Sequence, residues 1–160
     1  MEPGQDRNIA ALTFPFRVCF FLEENMENII FDELKKLTNK AIEENEVPIA
    51  AIILKNDIIV GRGYNKVEQT QNFMNHAEII AINEAQQNLN NWRLNDCKMY
   101  VTLEPCSMCK EIIKKSRISD IYYLSKQNKE QKDAINNYEY IEKKYFSDLL
   151  TTFFKEKRRK

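Results

Sequence analysis

Two segments, Asn75-His76-Ala77-Glu78 and Pro105-Cys106-Ser107-Met108-Cys109, decide how this sequence of 160 residues is interpreted. His76 is the only histidine in the chain. Imidazole and thiolate are preferred ligands of Zn²⁺, and a purely structural site would offer four protein ligands instead of three. A tetrahedral ion with three protein ligands keeps one position for water, and it lowers the pKa of that water towards neutrality. The pattern therefore predicts a catalytic zinc site formed by His76, Cys106 and Cys109.

The two cysteines also form a CxxC pair, which is typical of redox sites as well as metal sites. In this sequence Pro105 precedes the first cysteine and does not lie between the two, and a redox site would leave His76 without a role. Free N–H groups at a helix start lower the pKa of a thiol, and the resulting thiolate is the form that binds metal. We therefore favour a metal site over a redox site.

Glu78 has two interpretations. In the first, Asn75-x-x-Glu78 is a capping box, in which the glutamate bonds back to a backbone N–H at the helix start. In the second, Glu78 carries protons beside the metal. On a regular helix the side chains of His76 and Glu78 point about 200° apart, so both reach one ion only if the first turn is irregular. Because Pro105-Cys106-x-x-Cys109 lies downstream, we favour the catalytic interpretation.

Composition predicts one globular domain inside the cell. Hydrophobic residues make up 43% of the chain, and basic and acidic residues are equal at 24 each, so no global charge attracts nucleic acid. Four cysteines without the spacing of a disulfide framework indicate a reducing compartment, and we expect a cytoplasmic location. The apolar stretch 9–22 contains Pro15 and Arg17 and is too short to span a bilayer, so we expect no membrane association.

The periodicity of apolar residues predicts alternating helices and strands. The predicted elements are a helix from Met26 to Asn45, a hairpin of strands Ile49 to Leu54 and Ile58 to Val60, a helix from His76 to Leu89, a strand from Cys97 to Leu103, a helix from Pro105 to about Ser116, a strand from Ile121 to Leu124, and a C-terminal helix with apolar residues from Phe146 to Phe154. Segments 61–75 and 125–137 are predicted to be polar connections. We expect an α/β protein, a three-layer α/β/α sandwich with a mixed sheet of about five strands.

The chain is divided into two parts. Residues 1–25 are interpreted as an N-terminal extension of uncertain status, and residues 26–160 as the main domain.

The two metal-site motifs resemble those of the zinc-dependent cytidine and nucleoside deaminase superfamily. Further segments are similar to the bacterial tRNA adenosine deaminases of that superfamily: Glu46-Val47-Pro48, Gly63-Tyr64-Asn65, Trp92-Arg93-Leu94, Tyr100-Val101-Thr102-Leu103-Glu104-Pro105-Cys106 and Ser116-Arg117-Ile118. The resemblance covers about residues 26–124 and the helix containing Phe153 and Phe154. It implies a cytidine-deaminase-like fold, a homodimer, and a zinc hydrolase that converts the wobble adenosine of a tRNA anticodon loop to inosine.

The resemblance also implies roles for individual residues. His76, Cys106 and Cys109 would bind Zn²⁺, Glu78 would be the proton shuttle, Asn65 would hydrogen-bond the flipped base, Ile49 and Leu103 would line the base pocket, and the backbone N–H of Ala77 would be an additional donor. From its local sequence alone, Asn65 is better interpreted as a turn residue in a polar loop, and the resemblance reverses this preference. Ile49 and Leu103 would serve equally well as ordinary strand core.

Two other functions stay open at the level of sequence. Segment 126–132 differs from the loop that contacts RNA in the resembled family, which leaves room for a deaminase of a free base or nucleoside, of the guanine or cytosine type. A non-catalytic zinc-stabilised RNA-binding protein is the second alternative. The basic cluster Lys155, Lys157, Arg158, Arg159 and Lys160 fits either phosphate binding or simple stabilisation of a helix C-terminus.

Overall fold

The computed structural model describes residues 16–127 and 137–159, with side chains described from Glu24 onwards. Its helices and strands are α1 (Phe16–Glu43), β1 (Ala50–Lys55), β2 (Ile58–Tyr64), α2 (Val67–Thr70), α3 (Ala77–Leu89), β3 (Cys97–Val101), α4 (Ser107–Ser116), β4 (Asp120–Tyr123), β5 (Asn137–Tyr140) and α5 (Lys144–Lys157). Helices and strands alternate as the periodicity predicts. Lys160 and the part of segment 126–132 that follows Gln127 lie outside the described residues, as do residues 1–15.

The strands form one five-stranded mixed sheet with the order β2-β1-β3-β4-β5. β1 pairs antiparallel with β2 and with β3, which confirms the predicted hairpin. β3 pairs parallel with β4, as expected for two strands joined by a helix, and β4 pairs parallel with β5. The predicted α/β class and five-stranded mixed sheet are confirmed.

Helices cover both faces of the sheet. Alternate residues of β1 point to opposite sides, so Ala51 and Ile53 pack in one apolar cluster with α3 and α4. Ala50, Ile52 and Leu54 pack in the other cluster with α1 and with Phe146 of α5. The result is the predicted three-layer α/β/α arrangement.

The predicted end of β2 at Val60 is wrong, because the strand continues to Tyr64. Gly61 and Gly63 interrupt the apolar pattern in the sequence, yet they allow the strand to lie directly against α3. A Cβ atom at Gly61 would lie 2.8 Å from Cβ of Ala85, and one at Gly63 would lie 2.7 Å from the backbone nitrogen of Ala81. The glycines are therefore packing residues within the strand, and they do not mark a loop.

Other features also differ from the sequence predictions. The first helix begins at Phe16 and so continues across the boundary placed at residue 25, and β3 ends at Val101, two residues before Leu103. Segment 137–140 forms β5, which no periodicity predicts because this short edge strand pairs only with β4 and is mostly polar. Among the described helices, none is both long and apolar enough to cross a membrane.

Candidate metal centre and active site

His76 lies at the start of α3, where its backbone is extended with φ −71° and ψ 152°. It is the N-cap residue, so Glu78 occupies the second helical position and not the third. The N–H of Asn75 donates to the carbonyl of Asn72 at 3.0 Å, and the Asn75 side chain donates to Thr70 Oγ1 at 2.8 Å. The capping box of Asn75 and Glu78 is therefore not formed.

Cys106 and Cys109 lie at the start of α4 in a similar way. Cys106 is the N-cap with an extended backbone, and Cys109 lies in the first turn and is fully buried. Nδ1 of His76 is 3.8 Å from Sγ of Cys106 and 3.5 Å from Sγ of Cys109. The three ligand atoms lie within 4.8 Å of one another. The three predicted ligands thus converge at the start of two neighbouring helices.

These distances fit a tetrahedral zinc ion. With bonds of about 2.05 Å to nitrogen and about 2.3 Å to sulfur, the nitrogen and sulfur atoms around such an ion are about 3.5 Å apart. One neutral imidazole and two thiolates also match the charge of a divalent cation. The donor set of His76, Cys106 and Cys109 can therefore hold a metal without rearrangement of the backbone.

The pKa values of the two thiols are shifted in opposite directions. The thiol of Cys109 donates to the sulfur of Cys106, and with the backbone N–H groups of Cys109 and Met108 it lowers the pKa of Cys106 to about 5. The same hydrogen bond, together with burial, raises the pKa of the Cys109 thiol. The lowered pKa of Cys106 favours its thiolate, the form that binds a cation, and a cation bound to both sulfurs would displace the proton of Cys109.

Glu78 projects into the same region from the first turn of α3. Its side chain is 4% exposed, and burial raises the pKa of its carboxyl group. It lines a cavity of about 300 Å³ together with His76 and Cys106. The arrangement places a buried carboxyl group beside three metal-ligating atoms at the wall of a cavity large enough for a nucleobase.

The cavity brings together all four residues assigned to substrate binding. It is lined by Val47, Ile49, Asn65, Val67, Glu68, His76, Ala77, Glu78, Leu103, Glu104, Cys106, Gln127 and Phe154. Ile49, Ala77 and Leu103 provide an apolar part of the wall, and Asn65 provides an amide group. Cys109 lies behind this surface, so the metal-ligand set reaches the cavity through His76 and Cys106.

Sequence patterns assign no role to two residues that shape the site. The periodicity places Phe154 in the buried stripe of the last helix, but it is 44% exposed and forms part of the cavity wall. Glu46 is completely buried, and its carboxylate accepts a hydrogen bond from the side-chain amide of Asn65 at 3.0 Å. In the sequence Glu46-Val47-Pro48 is only a segment similar to the family, and its position before a proline gives no sign of this contact.

Comparison with known proteins identifies the family and supports the fold. The family model of the cytidine and deoxycytidylate deaminase zinc-binding region matches residues 25–125. The chain belongs to this family, which confirms the resemblance drawn from its motifs. The matched region includes both the histidine segment and the cysteine segment.

Curated relatives are tRNA-specific adenosine deaminases. One from Streptococcus pyogenes serotype M18 is 39% identical over 104 residues, which cover 65% of this chain and 64% of that relative. One from Aquifex aeolicus is 36% identical over 132 residues, which cover 74% of this chain and 87% of that relative. The chain thus spans less than two thirds of the length of the streptococcal relative.

A solved structure has the same fold. It comes from a study of A-to-I editing by tRNA:A34 deaminases at the wobble position of transfer RNA. It superimposes with a TM-score of 0.63 at 28% identity, over 72% of this chain and 99% of that one. The five-stranded sheet and its flanking helices are therefore shared with an experimentally determined deaminase.

Proposed function

We propose that this protein is a zinc-dependent hydrolase that deaminates adenosine to inosine at the wobble position of tRNA. The observation that carries the proposal is the convergence of His76, Cys106 and Cys109 beside the buried carboxyl group of Glu78 at one cavity. The tRNA-specific adenosine deaminases among its relatives support adenosine in tRNA as the substrate. In this proposal His76, Cys106 and Cys109 hold the zinc ion.

Zinc bound there supplies Lewis-acid activation of water. Glu78 takes one proton from the attacking water and gives it to N1 of adenine as the C6–O bond forms. It then moves the second proton from the C6 hydroxyl to the amino group, so that the C6–N bond breaks and ammonia leaves. Asn65 binds the extruded base or its sugar through its amide, and the backbone N–H of Ala77 is a hydrogen-bond donor near C6. Ile49 and Leu103 provide apolar contacts to the base.

The RNA around the target base is proposed to run along α5. Phe154 lines the active-site cavity and also a neighbouring groove that contains Lys126 and Arg158. On its other side Phe154 borders a groove that contains Phe153 and Lys157. Aromatic and basic side chains in alternation suit single-stranded nucleic acid, since the rings stack on bases and the cations contact phosphates. An unpaired anticodon loop offers such a strand without the need to open a duplex.

We further propose that the protein is a cytoplasmic homodimer whose catalytic domain comprises residues 26–160. A groove between α3 and α4, lined by Ile79, Ile82, Trp92 and Ile112 among others, supports a dimer that packs these helices together. Light scattering on the full chain tests the dimer: a dimer is expected, and a strict monomer at micromolar concentration would contradict it.

The proposed cytoplasmic location is supported by the free cysteines Cys97, Cys106 and Cys109, and cell fractionation tests it.

The function is tested by incubating the zinc-loaded full chain with an anticodon stem-loop that has adenosine at position 34. Inosine at that position, read by reverse transcription and by mass spectrometry of nucleosides, is the expected product. The matched control is the same stem-loop with its only unpaired adenosine moved into the stem, where no inosine should form. Ammonia release from free adenine, guanine, cytosine and their nucleosides is measured in parallel.

Two results would redirect the assignment. Ammonia release from a free base or nucleoside without inosine in the stem-loop would identify a small-molecule deaminase with the same metal site. Zinc binding and RNA binding without any turnover would identify a non-catalytic RNA-binding protein. Either result would contradict the proposed activity while leaving the family assignment intact.

A further inference from the structure

Glu46 is a buried carboxylate with an unusual set of contacts. Its side chain is 0% exposed. Oε2 accepts from the Nδ2 amide of Asn65 at 3.0 Å and from the backbone N–H of Glu68 at 3.3 Å. Oε1 accepts from the backbone N–H of Gln69 at 2.6 Å. All three groups that face the carboxylate are therefore hydrogen-bond donors.

A carboxylate with only donors around it determines the orientation of a neighbouring amide. Ionised carboxylate oxygens only accept hydrogen bonds, whereas an asparagine amide has a donor end and an acceptor end. If the Asn65 amide were rotated by 180°, its Oδ1 would face Glu46 Oε2 in a buried site, and two acceptors would repel each other. The amide of Asn65 is thus fixed with its NH₂ group towards Glu46.

The backbone of Asn65 is held as well, because its N–H donates to the carbonyl of Ile49 at 3.0 Å. Asn65 lines the cavity that also contains Glu78 and His76. Among the described residues, none donates a hydrogen bond to Oδ1 of Asn65. The carbonyl end of this amide is therefore the group left for a ligand.

We propose that Glu46 is a positioning residue that turns Asn65 into a fixed hydrogen-bond acceptor, so that the site selects a substrate that donates a hydrogen bond at this point, from a nucleoside hydroxyl or N–H group. This inference rests on the proposed function, since it assigns a specificity element to the proposed substrate cavity. Glu46 lies outside the set of residues that line the cavity, and it acts only through Asn65.

An exchange of the two functional groups tests the proposal. Glu46→Gln leaves one carbonyl oxygen to serve three donors, and Asn65→Asp places two carboxylates against each other. In the double variant Glu46→Gln/Asn65→Asp the carbonyl of the introduced glutamine can accept from the N–H of Gln69, while its NH₂ group donates to the introduced aspartate. The longer bond from the N–H of Glu68, 3.3 Å in the wild type, is lost. The second oxygen of that aspartate then offers an acceptor to the cavity again, and the total charge equals that of the wild type.

We expect each single variant to lose at least about 10-fold in kcat/KM for the stem-loop, because a buried charged hydrogen bond is broken. The double variant should recover to within about 5-fold of the wild-type kcat/KM and regain most of the Tm lost by the single variants, because only the bond from the N–H of Glu68 is missing. The control is Glu33→Gln on α1, whose carboxylate accepts from Nε of Arg62 at 2.8 Å and lines neither the cavity nor the grooves beside Phe154, and kcat/KM should be unchanged. Zinc content is measured for each variant and should stay at the wild-type level.

Recovery of Tm without recovery of kcat/KM in the double variant would overturn the proposal, since Asn65 would then serve its ligand as a donor. Recovery of neither quantity would overturn the pairing of Glu46 with Asn65.

A measurement that needs no turnover is the NMR spectrum of the side-chain amide of Asn65 in the full-length ¹⁵N-labelled chain. We expect one protected proton that is lost in Glu46→Gln, and an unprotected amide in the wild type would contradict the inference. If the wild type forms no inosine, the proposed function fails while this spectrum still tests the orientation.

Discussion

Nδ1 of His76 lies 3.5 Å from Sγ of Cys109, although 33 residues separate them in the chain. The contact arises because His76 caps α3 and Cys109 lies in the first turn of α4, and both helices pack on the same face of the sheet. Neither residue needs a long loop to reach the other. The geometry of the ligand set is therefore a consequence of the sheet topology.

The first prediction concerns metal content. The full chain should bind one zinc ion, and alanine at His76, Cys106 or Cys109 should reduce zinc retention after dialysis to near zero. Zinc at about 100 times its Kd should stabilise the wild type by about 2.7 kcal/mol and leave these variants unaffected. Elemental analysis and thermal unfolding measure the two effects.

Cys97→Ala is the matched control for this experiment, because Cys97 is a buried cysteine in β3 that is not in the ligand set. It should keep its zinc even if its Tm falls. Zinc loss from Cys97→Ala, or full zinc retention in His76→Ala, would contradict the assigned ligand set.

A second prediction concerns the contact between β2 and α3. Gly63→Ala should destabilise the protein by about 1–3 kcal/mol, because its Cβ would meet the carbonyl of Ala77 and the backbone nitrogen of Ala81. Urea unfolding measures the change. Ile58→Ala on the same strand removes a side chain that is 67% exposed, and it should change the free energy of unfolding by no more than about 0.5 kcal/mol. Equal effects of the two substitutions would show that the strand does not pack closely on the helix.

A third prediction concerns Thr102, which is fully buried directly after β3. Its Oγ1 accepts from the N–H of Ala50 at 3.0 Å. Thr102→Val should cost about 1–3 kcal/mol of unfolding free energy because this buried N–H loses its partner. Thr102→Ser keeps the hydroxyl group and should be more stable than the valine variant. A valine variant as stable as wild type would contradict the contact.

A fourth prediction concerns the cavity wall formed by α5. Phe154→Ala should raise KM for the stem-loop about 5- to 50-fold with a smaller change in kcat, since a ring next to the bound base is lost. Tyr145→Ala is the matched control, because Tyr145 lies on the same helix and has the same 44% exposure, but it is not part of the cavity. Similar kinetic effects of both substitutions would argue against a role of Phe154 in substrate binding.

Much of this structure could be predicted from local patterns. The stripe of Ile30, Leu34, Leu37 and Ala41 predicts the buried face of α1, and the alternation around Met99 and Val101 predicts β3. The metal-ligand set could be predicted because a single histidine leaves no competing choice, and because the CxxC spacing places both sulfurs at one helix start.

The remaining features depend on contacts between distant segments. Gly61 and Gly63 belong to a strand only because α3 lies against them, and β5 forms only because β4 offers an edge. The link between Glu46 and Asn65 joins residues 19 positions apart and has no periodic signal. Phe154 has the helical spacing of a buried core residue. Only its place in the cavity wall of the folded protein shows that it is not one.

The most direct test of the proposed active site compares the wild type with Glu78→Gln, both loaded with zinc. The glutamine has nearly the same shape but cannot carry a proton. We predict that the variant keeps one zinc ion per chain and the wild-type Tm, while its rate of inosine formation in the stem-loop falls at least about 100-fold. A zinc-loaded Glu78→Gln enzyme that works within a few-fold of the wild-type rate would contradict the claim that this carboxyl group and the metal ligands form one active site.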